Sequence, residues 1–319
     1  MSLATDLHQH AWPAPFLAAL SARRDGPRTH RTADGAWCLE LPAEAPCVLD
    51  ERQTDLHRRA GGLLAAGLDR ALLVPPVAIG IDALPADEAR ELLTVWLDGA
   101  LAAGGPFGAW AAVAARDPRP ADLRAALARG AVGLVVPAAA VADPAALDRL
   151  GPVLEELGRH DRPLFVHPGV PDGRPDDAAW WPAVGDYTGQ LLRAWATWLD
   201  RGHRAHPTLR VLFAALAGGG ALLLERLAAR GGPVDLARSP LLAYDTSSFG
   251  TRTLAAAAQA VGADRLAFGS DLPVVAPAHG HVPVVAGVGA GRLATVAAST
   301  LLGESPAAAA PAAPLEVAA

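Results

Sequence analysis

The sequence predicts an α/β protein folded as a (β/α)8 TIM barrel, with a small β-hairpin inserted after the first strand. Three observations predict it. From residue 60 onward, short apolar and often β-branched runs alternate with longer Ala/Leu/Arg segments of helical period, the pattern of repeated β-α units with parallel strands. Counted with an apolar-flanked segment near the start, there are eight such runs. They fill one span of about 300 residues, a size that suits eight strands and their helices closed into a barrel better than a doubly wound sheet.

Each element follows from its own residues. TDLHQH, at the start of the chain, is the first strand. Strands two to four are read in RALLVPP (70–76), FGAWAAVAA (107–115) and AVGLVVPA (131–138). Strands five to eight are read in PLFVHPG (163–169), RVLFAAL (210–216), LLAYDTS (241–247) and LAFGSDLP (266–273). Between them, DEARELLTVWLDGALA, PAALDRLGPVLEELGRH and YTGQLLRAWATWLDRG repeat apolar side chains at helical spacing. Residues 12–50 form the insertion, in which RTHRTADGAWCLEL reads as two strands joined by a turn at Ala33, Asp34 and Gly35. Because it follows the C-terminal end of strand one, it is expected over the barrel mouth. Residues 1–303 are thus assigned to the barrel. Residues 304–319, rich in Ala and Pro and poor in large apolar groups, are assigned to a tail without packed structure.

An apolar share of 51% provides material for a large core. The formal charge of -6 is spread along the chain without a basic cluster, which argues against a nucleic-acid partner. No apolar run reaches the roughly 18 residues of a membrane span, and the N-terminus lacks the charged-then-apolar layout of a signal peptide. A cytoplasmic protein acting on a small molecule is therefore expected, with a homodimer left open. Cys38 and Cys47 flank LELPAEAP with no C-x-x-C and no third thiol, which excludes a zinc ribbon and reads as two structural thiols. The sequence contains arginine but no lysine. Schiff-base chemistry is thereby removed, as is the carboxylated lysine that could bridge two metal ions, and any metal centre must be built from His, Asp, Glu or Cys.

In an extended strand alternate side chains share a face, so His8 and His10 can reach one point in space. Taken alone, an H-x-H pair is more often a pair of ordinary hydrogen-bonded side chains than a metal site. Barrel active sites lie at the C-terminal strand ends, and there FVHPG places His167 on strand five and FGSDLP places Asp271 on strand eight. A histidine before Pro-Gly can merely serve a turn, and an aspartate after Ser can merely cap a helix. As a set, three neutral imidazoles and one carboxylate around one mouth suit Zn²⁺ first, with Mn²⁺, Fe²⁺ or Co²⁺ as alternatives, and a water in the remaining position.

These motifs resemble the amidohydrolase-related superfamily, in the branch of 2-amino-3-carboxymuconate-6-semialdehyde decarboxylase and related decarboxylases, hydratases and lactonases. The resemblance runs from DLHQH through RPLFVHPG, HPTLRVLFAALAGGGALLLERL and AYDTSSFG to RLAFGSDLPV. It implies that His8, His10 and His167 ligate one metal ion, and that Asp271 touches the metal or its water and moves the proton. One position departs from the family pattern. Where that branch reads Ala-His-Leu-Gly-Gly after strand six, this chain reads AALAGG, with Ala215 in place of the imidazole that handles substrate or proton. His203 and His206 precede strand six and belong to the opposite face, whereas His279 and His281 follow strand eight on the mouth side.

Other mouth residues bear on substrate. Trp12, Trp180, Trp181 and Tyr187 could wall an apolar or planar molecule, or pack on one another as a lid. Arg252 could pair with a carboxylate, or sit solvated at a helix start. With no second imidazole, hydrolysis of an ester, lactone or amide by a metal-activated water, with Asp271 as proton acceptor, is the leading expectation. Non-oxidative decarboxylation of an aromatic or dienoic acid ranks second because it asks for a further acid. A barrel that retains metal without turnover ranks third.

Overall fold

The structure is a computed structural model that describes residues 2–41, 46–50, 54–173, 178, 180–274, 282–285, 288–289 and 291–304. All eight expected strands are present and parallel: β1 (Thr5–His10), β5 (Arg70–Val74), β6 (Phe107–Ala109), β7 (Leu134–Pro137), β8 (Leu164–His167), β9 (Val211–Phe213), β10 (Leu242–Asp245) and β11 (Leu266–Ala267). They lie in two sheets, ordered β1-β5-β6 and β11-β10-β9-β8-β7. Backbone contacts join both edges: Ala111 bridges to Leu134, Gln9 bridges to Leu272, and the Leu7 amide donates to the Phe268 carbonyl at 2.9 Å. Almost every residue of these strands is buried, as expected where helices cover one face and packed side chains the other.

Strand β6 is shorter than FGAWAAVAA suggests. Trp110 follows it at once, its amide bonded to the Leu73 carbonyl at 2.9 Å and its indole donating to the Leu7 carbonyl at 3.0 Å. From helix α3 (Ala86–Ala102), Trp96 donates to the Ala11 carbonyl at the same distance. Two buried tryptophans from separate elements thus hold the first strand and its exit.

The helices follow their sequence signals. In α5 (Pro144–Arg159), Asp143 accepts from the Ala146 amide as N-cap, Pro144 occupies the first turn, and Leu147, Leu150, Leu154 and Leu157 form the buried stripe. Helix α4 (Pro120–Arg129) ends at Gly130 with φ of 113°, a conformation that costs a side-chain-bearing residue. Helix α2 (Leu56–Ala65) precedes β5, and α6 (Tyr187–Thr197), α7 (Thr251–Val261) and α8 (Arg292–Leu302) follow β8, β10 and β11.

After β1 comes α1 (Ala14–Ser21), then the expected hairpin, β2 (Arg28–Arg31) antiparallel to β3 (Trp37–Glu40), with a turn closed by the Thr32 amide on the Ala36 carbonyl at 2.9 Å. A third strand, β4 (Cys47–Leu49), was not expected and pairs antiparallel with β3. Leu39 and Leu49 bury themselves on one face of this small sheet, and the Thr29 hydroxyl ties it to α1 through the Leu17 carbonyl at 2.7 Å. The residues of the expected tail after Glu304 lie outside the described residues. Glu304 itself is held by Arg70 at 2.8 and 3.1 Å, so at least its first residue is fixed. Among the described residues, no helix is long and apolar enough to cross a membrane.

Candidate metal centre

The two strand-one histidines reach the mouth through an irregularity that alternation does not reveal. Thr5 and Asp6 face Arg70 and Ala71, whereas Gln9 and His10 face Leu73 and Val74, so β1 carries one extra residue between Asp6 and Gln9. Such a bulge re-aims side chains. Here it falls between Asp6 and Gln9, the stretch that holds His8, whose Nε2 stands 3.1 Å from the Nε2 of both His10 and His167. Asp271 Oδ1 completes the group at 3.2 Å from His10 and 3.4 Å from His8.

What the other ring nitrogens bond to decides what this cluster is. His8 Nδ1 meets Asp245 Oδ2 at 3.0 Å, His167 Nδ1 meets the Pro168 carbonyl at 2.9 Å, and His10 hydrogen-bonds to the Val74 backbone. Carboxylates and carbonyls only accept, so the Nδ1 atoms of His8 and His167 carry the protons and their Nε2 lone pairs point at each other. Lone pairs 3.1 Å apart repel unless a proton or a metal ion lies between them. Donors bound at about 2.0–2.2 Å to a common first-row ion stand roughly 3–3.5 Å apart, the spacing found here. His8, His10 and His167 therefore fit one divalent metal ion, with Asp271 beside them. The three rings also meet edge to face, with Phe165 against His8 and His167.

Electrostatics divide the three rings. Burial opposes charge on His8, yet the carboxylates of Asp245 and Asp271 outweigh it and lift its pKa to about 9, so that without a cation its Nε2 holds the proton whose place a metal ion would take. Burial pushes His10 down and His167 well down, the latter assisted by its two imidazole neighbours. Burial would raise Asp271 and Asp245, but the facing imidazoles hold both carboxyls below the usual range. Asp271 has φ of 58°, a left-handed backbone that aspartate adopts more readily than most residues.

Asp245 is the residue that motif reasoning passed over, although its signal was present: a carboxylate ending the buried run LLAYD. Fully buried, it accepts from His8, from the Ser247 amide at 3.1 Å and hydroxyl, and from the Ala215 amide at 3.2 Å. Gly269 makes room for it, since a Cβ there would sit 2.0 Å from Asp245 Oδ1. Asp6 plays a parallel part, accepting from the His8 and Ser270 amides and from the Gln9 amide group, while Arg59 grips Gln9 and the His10 carbonyl.

Ala215 stands at the exit of β9, half-buried, with φ of 44°, and Leu216 and Ala217 continue the left-handed turn. Its methyl group can neither donate a hydrogen bond nor carry a proton, but its amide supports Asp245. Trp12 is buried and stacked on Phe16. Trp180, 59% exposed, and Trp181 pack against each other. Tyr187 begins α6 half-buried, and Arg252 is exposed in the first turn of α7. His206 stacks on Trp198, away from the cluster, while His279 and His281 lie outside the described residues.

No family model and no curated protein matches this sequence. Solved structures do. Metarhizium anisopliae IDCase in its apo form aligns with a TM-score of 0.73 at 18% identity, over 94% of this chain and 97% of its own. The 5-carboxyvanillate decarboxylase LigW of Sphingomonas paucimobilis gives 0.69 at 16% identity, over 96% and 100%. A 5-carboxyvanillate decarboxylase of Novosphingobium aromaticivorans, complexed with manganese and 4-hydroxy-3-methoxy-5-nitrobenzoic acid, gives 0.67 at 18% identity, over 95% and 96%. These neighbours correct the expected hydrolase. The likeness is one of fold: the chain shares its architecture with IDCase and with two 5-carboxyvanillate decarboxylases, one of them complexed with manganese.

Proposed function

We propose that the protein is a metal-dependent, non-oxidative decarboxylase of a small aromatic or dienoic acid, working in the cytoplasm. The observation that carries this is the convergence of three imidazole lone pairs and one carboxylate at the strand ends of a fold whose solved neighbours include decarboxylases. We read the two parallel sheets as a single closed (β/α)8 barrel, supported by the backbone bridges at both of their edges. His8, His10, His167 and Asp271 would hold one divalent ion, Zn²⁺ by donor type or Mn²⁺ by the company of the neighbours, which when bound supplies positive charge to anchor the substrate's oxygens.

The chain's own residues then account for the proton. Asp271 has the most exposed side chain of those paired with the cluster, at 19% against 3% for His8 and 10% for His10, so it is the group a substrate meets. The bond from carbon to carboxylate breaks, the electron pair remains on that carbon, CO2 leaves, and the carbon takes a proton that the Asp271 carboxylate first takes up from solvent and then passes on. Asp245 keeps His8 in the tautomer that faces inward.

The test is CO2 release from a panel of hydroxylated benzoates and dienoic acids by Mn²⁺- and Zn²⁺-loaded protein. Turnover that Asp271→Asn lowers by about 10²-fold or more supports the reading. A folded, metal-loaded protein that releases no CO2 across the panel refutes it. Ala215 favours one other reading, a barrel that binds metal without turnover, and in that case only the Ala215→His variant becomes active.

A further inference from the structure

A cavity of about 610 Å³ opens among the loops that follow β5, β6, β7 and β8, and none of the four residues of the metal cluster lines it. It adjoins the cluster: Pro137, the register partner of His167, and Gly169, two residues beyond it, both form its wall. Its volume lies in the range of small-molecule sites. Val77, Val113, Val136 and Leu150 give it an apolar body.

Among the described residues, several of its charged groups lack a side-chain partner. Asp82 is 2% exposed, yet among the described residues its carboxyl is bonded only to its own amide, and burial pushes its pKa up to about 7. Asp186 presents a buried carboxylate oxygen without a hydrogen-bond partner. Arg149 on α5 and Arg193 on α6 line the same cavity from exposed positions, and among the described residues neither has an ion-pair partner, although Asp172 also stands on the lining. Gln190 is not available to a ligand, since both ends of its amide are bonded to the backbone of Gly169 and Val170. Buried carboxyls are normally paired. Arginines without partners around an apolar cavity are a carboxylate-recognition arrangement.

We propose that this cavity binds a small, ring-sized carboxylic acid that also carries a hydroxyl or amino group, with its carboxylate on Arg149 and Arg193 and its donor on Asp82. The site is separate from the metal centre and does not depend on decarboxylase activity. The carboxylate end and the donor end are recognised independently, so probes that carry one end or both separate the contributions.

The experiment is calorimetric titration of full-length protein, stripped of metal with EDTA, with 4-hydroxybenzoate, benzoate and phenol. 4-Hydroxybenzoate should bind at least tenfold more tightly than either single-ended probe. Arg193→Gln and Arg149→Gln, both exposed and compatible with folding, should each weaken 4-hydroxybenzoate and benzoate by about 10-fold or more and leave phenol unchanged. Asp82→Asn should weaken 4-hydroxybenzoate and leave benzoate unchanged. Equal affinities for the three probes, or binding indifferent to both arginine variants, would overturn the proposal. So would binding that appears only with metal and vanishes in His8→Ala, which places the ligand at the metal centre instead.

Discussion

Replacing Asp82 by asparagine should stabilise the protein at pH 8 and leave it nearly unchanged at pH 4. Burial raises the folded-state pKa of this carboxyl from 3.8 to about 7, so folding favours its protonated form. Below pH 4 the group is protonated in both folded and unfolded chains and imposes no penalty. As pH rises from 4 to 7 the unfolded chain loses the proton while the folded one keeps it, and stability falls; above 7 the loss is constant. At about 1.4 kcal/mol per pH unit of displacement, the full penalty is about 4 kcal/mol. An uncharged amide of the same shape removes it. Urea or thermal denaturation of both proteins between pH 4 and 8 reads the difference directly, and the gap in melting temperature should open to roughly 5–10 °C at pH 8. Parallel pH profiles with equal midpoints at pH 8, or a less stable variant throughout, would show that the Asp82 carboxyl has a partner in solution and that the reasoning fails.

Other outcomes follow from the same structure. His8→Ala and His167→Ala should each abolish stoichiometric metal in elemental analysis, whereas Asp245→Asn, which disturbs only the orientation of His8, should weaken metal affinity by about 10–100-fold without abolishing it. Ala215→Gly relieves a left-handed backbone at the cost of a half-buried methyl, so unfolding experiments should find it more stable by about 1 kcal/mol. Deleting residues 305–319 should leave the melting temperature unchanged, and extending the deletion through Glu304 should cost at most about 1 kcal/mol, because its pair with Arg70 is partly solvated.

Much of this molecule is legible in its sequence because buried parallel strands write their period and their ends plainly. The runs LLV, LFVH and LAYD are strands in the structure, and His167 is where the FVHPG motif puts it. The metal cluster is legible for the same reason, since strand ends fix where side chains converge. Three features were hidden. The bulge between Asp6 and Gln9 arises from register between two strands and leaves no mark in either. The third strand of the inserted sheet is only three residues long, below the length at which alternation is visible. Asp245 was read as part of a motif and not as a partner, because its role depends on a histidine 237 residues away. Ala215 was read correctly as a missing imidazole but misled the choice of chemistry: a side chain's absence says which atom cannot act, and nothing of which reaction the remaining ones perform.

The two tryptophan anchors on the first strand bear on how the protein breathes. Segments with few long-range contacts exchange their amides with solvent through small local openings. Here the amides of Leu7 and His10 are bonded to the carbonyls of Phe268 and Leu272, while the carbonyls of Leu7 and Ala11 are held by indoles from two other elements. Freeing that strand breaks contacts with three distant parts of the chain at once. Its amides should therefore exchange as slowly as those of β8 in the core, and the strand that carries His8 and His10 should be the last part of the molecule to open.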